Sequence, residues 1–130
     1  NGALAVDDRP SAWNTMFKAW FDVEVPEDRL GCLQDIHWSM GAFGYFPTYT
    51  LGNLYAAQLL EAMAADLGDI DELVASGDWE PMLAWLRPRI HERGSQVSPA
   101  QLIEDATGSP PSPEPFLRYV ERKYGELYQL

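Results

Sequence analysis

Between Gly31 and Asn53 the chain reads GCLQDIHWSMGAFGYFPTYTLGN, so that Gln34, Asp35, His37 and Trp38 arrive within five positions and a glycine-punctuated run with Phe43, Tyr45, Phe46 and Tyr49 follows. A carboxylate beside an imidazole is the material of acid–base pairs, metal ligands and hydrogen-bonded structural pairs alike. Asp35 and His37 lie two residues apart, about 200° around a helix and on one face of an extended segment. Neither geometry completes a metal site, and the residue types leave a structural pair and a functional one open. The aromatic run divides the same way. The Tyr45 and Tyr49 hydroxyls either line a pocket, where a ligand supplies the partner a buried phenol needs, or the glycines simply turn the chain into Pro47 while Trp38, Phe43 and Phe46 fill a core.

Other chemistry is thinner. The pair His91–Glu92 opens HERGS, which starts like the zinc motif HExxH, in which two His four residues apart chelate the metal from one helical face. Here the fifth position is Ser95, and the chain has only two His. His91 is therefore expected in a last helical turn, interacting with the helix dipole. No GxSxG elbow occurs, and nothing marks Cys32, five residues before His37, as an activated nucleophile.

The elements that must position these residues are helical. Trp13, Met16, Phe17, Trp20 and Phe21 form the stripe of an amphipathic helix. Asp8 or Ser11 is its expected cap, Pro10 stands near its start, and its end is expected near Val23 to Pro26. A longer helix is expected from Thr48 to Leu67, rich in Ala and stopped by Gly68. Gly52 in its first turns implies either a later start or another backbone packed against it. Asp69 to Ala75 reads as a short helix closed by Ser76 and Gly77. Glu80 to Arg93 follows, capped by Asp78 and kinked or split at Pro88. Ser98 to Gln101 reads as a capping box for a helix ending at Gly108. Ser112 caps the last helix, from which Gly125 begins the exit. No strand pattern, repeat or low-complexity tract is present. The expected fold is all-α, a bundle of about five to seven helices in a single domain over residues 1–130.

Composition narrows the partners. Nine Lys and Arg against twenty Asp and Glu give a net charge of −11, which repels nucleic-acid phosphates and anionic membrane surfaces. No membrane span or signal peptide is visible. The lone Cys32 fits a reducing compartment, and the cytoplasm is the expected location. The first residue is Asn1 rather than Met, as in a piece excised from a longer protein.

The run GCLQDIHW at Gly31 to Trp38 matches the pattern GxxQDxHW. Together with GYFPTYTLGNLYAAQL at Gly44 to Leu59, it resembles the carboxypeptidase Taq family of zinc metallocarboxypeptidases. AWL at Ala84 to Leu86, IHERG at Ile90 to Gly94, LIEDATG at Leu102 to Gly108 and PEPFLRYVERKYGELY at Pro113 to Tyr128 are similar to that family's C-terminal end. The resemblance implies helices packed around a long groove and zinc, or another divalent metal, held by HExxH and a downstream Glu. It further implies removal of single residues from peptide C-termini, usually by a cytosolic homodimer. This sequence has no HExxH. The resemblance thus implies the C-terminal portion of such an enzyme, partnered by its N-terminal catalytic part, with no metal bound here and no activity of its own. It places Gln34, Asp35, His37 and Trp38 at the active-site groove and makes Tyr45 and Tyr49 candidates for substrate contact. An exopeptidase at a C-terminus needs donors for a carboxylate and an oxyanion, which His37, Gln34 and Tyr45 can supply. Asp35 is expected to orient a donor, because two carboxylates in contact repel. The alternatives are a non-enzymatic helical interaction or dimerisation module of the same family, and a stand-alone acidic bundle whose aromatic loop binds a small ligand.

Overall fold

Six α-helices and four single-turn 3-10 segments, with no strand, run through residues 4–130, the residues that the computed structural model describes. The helices are α1 (Arg9–Phe21), α2 (Pro47–Leu67), α3 (Ile70–Ser76), α4 (Glu80–Arg89), α5 (Pro99–Thr107) and α6 (Glu114–Tyr128). They fall into two units, one ending at Phe46 and the other running Pro47–Leu130. Among the described residues no helix is long and apolar enough to cross a membrane.

In the first unit α1 carries the expected aromatic ladder. The rings of Trp13 and Phe17 stack at 6.4 Å, and those of Phe17 and Phe21 lie 4.8 Å apart. Its ends differ from expectation. Neither Asp8 nor Ser11 caps it: Asp8 holds the N-cap position in helical geometry, and the Ser11 hydroxyl donates backward to the Asp8 carbonyl at 2.9 Å. The helix grows instead out of the 3-10 turn Val6–Asp8. It also stops earlier, because Asp22 takes a left-handed conformation (φ 53°), which a short polar side chain tolerates. The Asp22 carboxylate is paired with Lys18 at 2.8 Å.

In the second unit α2 packs against α3, α4, α5 and α6. It starts at Pro47, whose missing N–H costs nothing in a first turn, and Gly68 ends it in the left-handed region (φ 85°). Gly52 is inside the helix with no atom within 4 Å of where a Cβ would stand, so neither a later start nor a packed backbone accounts for it. Met63, Ile70 and Trp85 form the core, surrounded by Leu59, Leu67, Leu73, Met82 and Leu86. The Trp85 indole donates to Asp66 at 2.6 Å, and the Arg89 guanidinium lies 4.5 Å from the Trp85 ring while pairing with the same carboxylate at 3.1 Å. A polar clasp thus joins α2 to α4 at the edge of the core.

Local expectations fare unevenly in this unit. Asp69, expected as the first residue of the short helix, is instead the N-cap of α3 and accepts from the Glu72 N–H at 3.0 Å. Asp78 does not cap α4; its N–H donates to the Leu73 carbonyl and closes α3, leaving Trp79 at the N-cap of α4. Pro88, lacking the donor that would continue the ladder, is followed within one residue by the end of α4. The 3-10 turn His91–Arg93 comes next, so His91 lies beyond the α-helix. Ser98 caps α5 by accepting from the Gln101 N–H, but the reciprocal half of the capping box is missing because the Gln101 side chain reaches forward to Asp105 at 2.9 Å. Ser112 is not the N-cap of α6, a position Pro113 holds, although its hydroxyl one residue earlier accepts from the Glu114 N–H at 3.2 Å. Gly125 does not begin an exit: α6 continues to Tyr128, whose ring stacks on Tyr124 one turn back. Such i, i+4 contacts offset the roughly 1 kcal/mol preference for Ala over Gly.

Candidate functional site

The motif segment begins with a forced glycine. A Cβ on Gly31 would stand 2.6 Å from Val25 Cγ1, closer than a side chain can come, and 3.4 Å from both Asn14 Oδ1 and Trp13 Cδ1. Only glycine lets the Val25 segment, α1 and this turn meet. The chain enters through the 3-10 turn Asp28–Leu30, and the Gln34 N–H donates to the Gly31 carbonyl at 3.1 Å.

Asp35 and His37 then adopt neither the helical nor the extended relation. The Asp35 side chain folds forward in an Asx turn, and its Oδ1 accepts from the His37 backbone N–H at 3.0 Å. The same oxygen meets His37 Nδ1. These two hydrogen bonds, the backbone one first, hold the Asp35 carboxyl below its ordinary value. The His37 carbonyl accepts from the Ala42 N–H at 2.8 Å and the Met40 N–H at 3.2 Å, around the 3-10 turn Trp38–Met40 that Gly41 closes at φ 76°. The imidazole stacks on Tyr45 (centroids 5.4 Å apart, planes at 25°) and meets Phe46 edge-on at 5.5 Å. Trp38 stacks on Phe43 at 6.0 Å, with the Arg9 guanidinium 6.0 Å from its ring.

His37 is therefore in contact with both Asp35 and Tyr45, and Trp38 follows on the same turn. Gln34 is an exposed residue just ahead of it. Tyr49 belongs to the other unit, where it is exposed on the first turn of α2. Trp38, Phe43 and Phe46 do not fill a core: they are 58%, 73% and 57% exposed. The half-buried His37 and its Asp35 partner sit in this exposed aromatic surface.

Among the described residues no group of three or more His, Cys, Asp or Glu is placed to hold a metal ion. Asp35 Oδ1 and His37 Nδ1 engage each other, so the pair is not a ligand set. A groove of about 920 Å³ between α2 and α6 in the second unit is lined by none of Gln34, Asp35, His37, Trp38, Tyr45 and Tyr49. Its walls are small and apolar at Ala56, Ala57 and Leu60, and the Arg118 that edges it is held by Glu61 at 2.9 Å.

Sequence reasoning missed two residues. Gln58 is a buried polar side chain that bonds Thr107 at the end of α5 and three groups in the α5–α6 connection. Its spacing from Leu51, Leu54 and Tyr55 puts it in phase with the apolar stripe of α2, and that was the available signal. Arg9 approaches Trp38 from 29 positions away in sequence, and no local pattern announces such a contact.

Comparison with known proteins is consistent across sequence and structure. The model of the carboxypeptidase Taq (M32) metallopeptidase family matches residues 1–124. The chain is 46% identical over 127 residues to thermostable carboxypeptidase 1 of Thermus thermophilus and 39% identical over 127 residues to carboxypeptidase 1 of Bacillus subtilis. Each match covers 98% of this chain and 25% of the relative, so the chain spans about a quarter of the length of the curated relatives it matches. The crystal structure of an M32 carboxypeptidase from Deinococcus radiodurans R1 superposes with a TM-score of 0.93 at 37% identity, over 99% of this chain and 26% of that one.

Proposed function

Because this chain belongs to the carboxypeptidase Taq (M32) metallopeptidase family, we propose that it is the C-terminal region of a metal-dependent carboxypeptidase that releases single residues from peptide C-termini. The observation that carries the reading is the GxxQDxHW segment itself, in which Asp35 and His37 are locked together within an exposed aromatic surface. Exposed aromatics beside a fixed polar pair suit an apolar wall with a few placed hydrogen-bonding groups, the usual make-up of a ligand site. In this reading the first unit supplies substrate-groove residues through Gln34, Asp35, His37, Trp38 and Tyr45, and Tyr49 of the second unit is a separate candidate for substrate contact. His37, Gln34 and Tyr45 hydrogen-bond to the peptide, and Trp38 gives apolar contact.

The family's divalent metal, zinc in this proposal, would polarise the scissile carbonyl. The described residues offer it no ligand set, so its ligands come from the N-terminal part of the same protein. The chain alone is then inactive, and the whole protein works in the cytoplasm as a homodimer on peptide substrates. In the whole protein His37→Ala is expected to lower peptide turnover far more than it lowers folding stability. If the variant merely unfolds, or turns over peptide normally, His37 is not a groove residue. Metal-dependent release of C-terminal residues by the isolated 130-residue chain would overturn the assigned division of labour.

A second reading, a non-enzymatic interaction module of the same family, draws on the exposed apolar surface of the first unit, where Trp20 is 70% exposed. The two readings separate on one observation, the presence or absence of HExxH in the coding sequence upstream of Asn1.

A further inference from the structure

We propose that Asp35 is a positioning residue that holds His37 as the Nδ1-protonated tautomer, so that any hydrogen bond between His37 and a bound peptide runs through Nε2. The proposal rests on the reading of His37 as a groove residue and adds the atom through which it acts.

The geometry is local and over-determined. An ionised carboxylate only accepts hydrogen bonds, so a ring nitrogen bonded to one must carry a proton. Asp35 is ionised under ordinary conditions, its carboxyl being held low by the His37 backbone N–H and then by the ring. Asp35 Oδ1 is tied to the His37 N–H at 3.0 Å, which fixes where the carboxylate stands before the imidazole meets it. A ring flip about Cβ–Cγ would present the carbon Cδ2 and not Nε2 to Asp35, and swinging Nε2 round to the carboxylate would take the ring off the stack on Tyr45 and the edge contact with Phe46. Backbone rotation is opposed by the Ala42 and Met40 N–H groups on the His37 carbonyl. An untethered neutral histidine exchanges between two tautomers; here a partner two residues away selects one, as carboxylate partners do for functional histidines generally.

Long-range nitrogen–proton correlation spectra of the 130-residue chain, recorded well above the ordinary histidine titration range, read the tautomer directly. The expected result is a proton on Nδ1 of His37 in the unaltered chain, its loss to Nε2 or to a mixture in Asp35→Ala, and its retention in Asp35→Asn, whose side-chain oxygen still accepts. A proton on Nε2 in the unaltered chain, or an unchanged pattern in Asp35→Ala, overturns the proposal; the first of these needs no variant to fold. In the whole protein Asp35→Ala is expected to lower kcat/KM for a peptide roughly tenfold, with no further loss when added to His37→Ala. Losses that multiply would overturn the positioning role while leaving the groove reading intact. Normal turnover by His37→Ala would overturn the groove reading and the substrate half of the proposal, even where the spectra confirm the tautomer.

Discussion

Replacing Gln58 by Leu tests how the second unit is held together, because the hydrogen bonds of one buried amide are all on view. Gln58 is 5% exposed on α2. Its Nε2 donates to Thr107 Oγ1 at 3.0 Å, the Ser109 carbonyl at 3.0 Å and the Pro110 carbonyl at 3.1 Å, and its Oε1 accepts from the Ser112 N–H at 3.0 Å. The amide has two hydrogens, so its three acceptors share them. Gln58→Leu would leave the Ser112 N–H and the Pro110 carbonyl without this partner, and the Ser109 carbonyl with only the Thr107 hydroxyl at 3.1 Å, whose one hydrogen the Ile103 carbonyl also takes. Each orphaned group costs about 1–3 kcal/mol when dry, with the low end applying here because Ser109 and Pro110 are exposed residues that water can reach. Three affected groups at about 1 kcal/mol each, less about 1 kcal/mol returned by the added apolar burial, leave a net loss of about 2 kcal/mol. Thr107→Val removes one acceptor of three and should cost about 1 kcal/mol or less. Urea unfolding followed by far-ultraviolet circular dichroism reads both. With a slope of about 1.5 kcal/mol/M, Gln58→Leu lowers the midpoint by roughly 1.3 M at unchanged slope. A loss under about 0.5 kcal/mol, or one equal to that of Thr107→Val, would refute the reasoning.

Gly31→Ala is expected to destabilise the first unit by about 1–3 kcal/mol, since a β-branched Val25 cannot swing freely away from the new methyl; adding Val25→Ala should recover part of that loss in the same denaturation assay, and no recovery would locate the clash elsewhere. Gly52→Ala is expected to stabilise the chain by about 0.5–1 kcal/mol, because helix entropy improves and nothing lies within 4 Å of the new Cβ; a lowered melting temperature contradicts this. Asp35 and Asp105 have carboxyls held below 3.8, Asp105 by Gln101 first and then Arg93. A depressed folded-state value stabilises above the unfolded value and is lost as pH falls below it toward the folded one. The stability difference between the unaltered chain and Asp105→Asn should therefore be constant from neutral pH to about 4 and shrink below it; a difference that persists undiminished at about pH 2 excludes the mechanism.

How much was legible from sequence depends on how far apart the interacting groups are. The run of Ala in α2 with its Gly68 stop, the Ser98 cap and the Pro88 interruption all follow from neighbours within about one turn, and they are present as expected. The misread caps failed at the same range for a different reason: two local uses competed for one residue. The Asp78 N–H closes α3, and the Gln101 side chain prefers Asp105 to its own helix start. At the site, the motif residues and their resemblance to a family were readable, and the Asp35–His37 pair was open as structural or functional. Its geometry is a third possibility beside helix and strand, an Asx turn, which a two-residue Asp–His spacing allows but does not require.

The sequence by itself determined the helical fold, the acidic surface, the family and the residues of the candidate site. These rest on propensity, periodicity, charge and motif, each complete within a short stretch of chain. Tertiary structure decided the rest: that Gln58 is a buried tie to the end of α5 and the loop after it, 49 to 54 positions away, that Gly31 is forced by Val25 and α1, and that Trp38, Phe43 and Phe46 lie on the surface. Burial and distant hydrogen-bond partners depend on which segments the chain brings together, and side-chain type alone does not encode that.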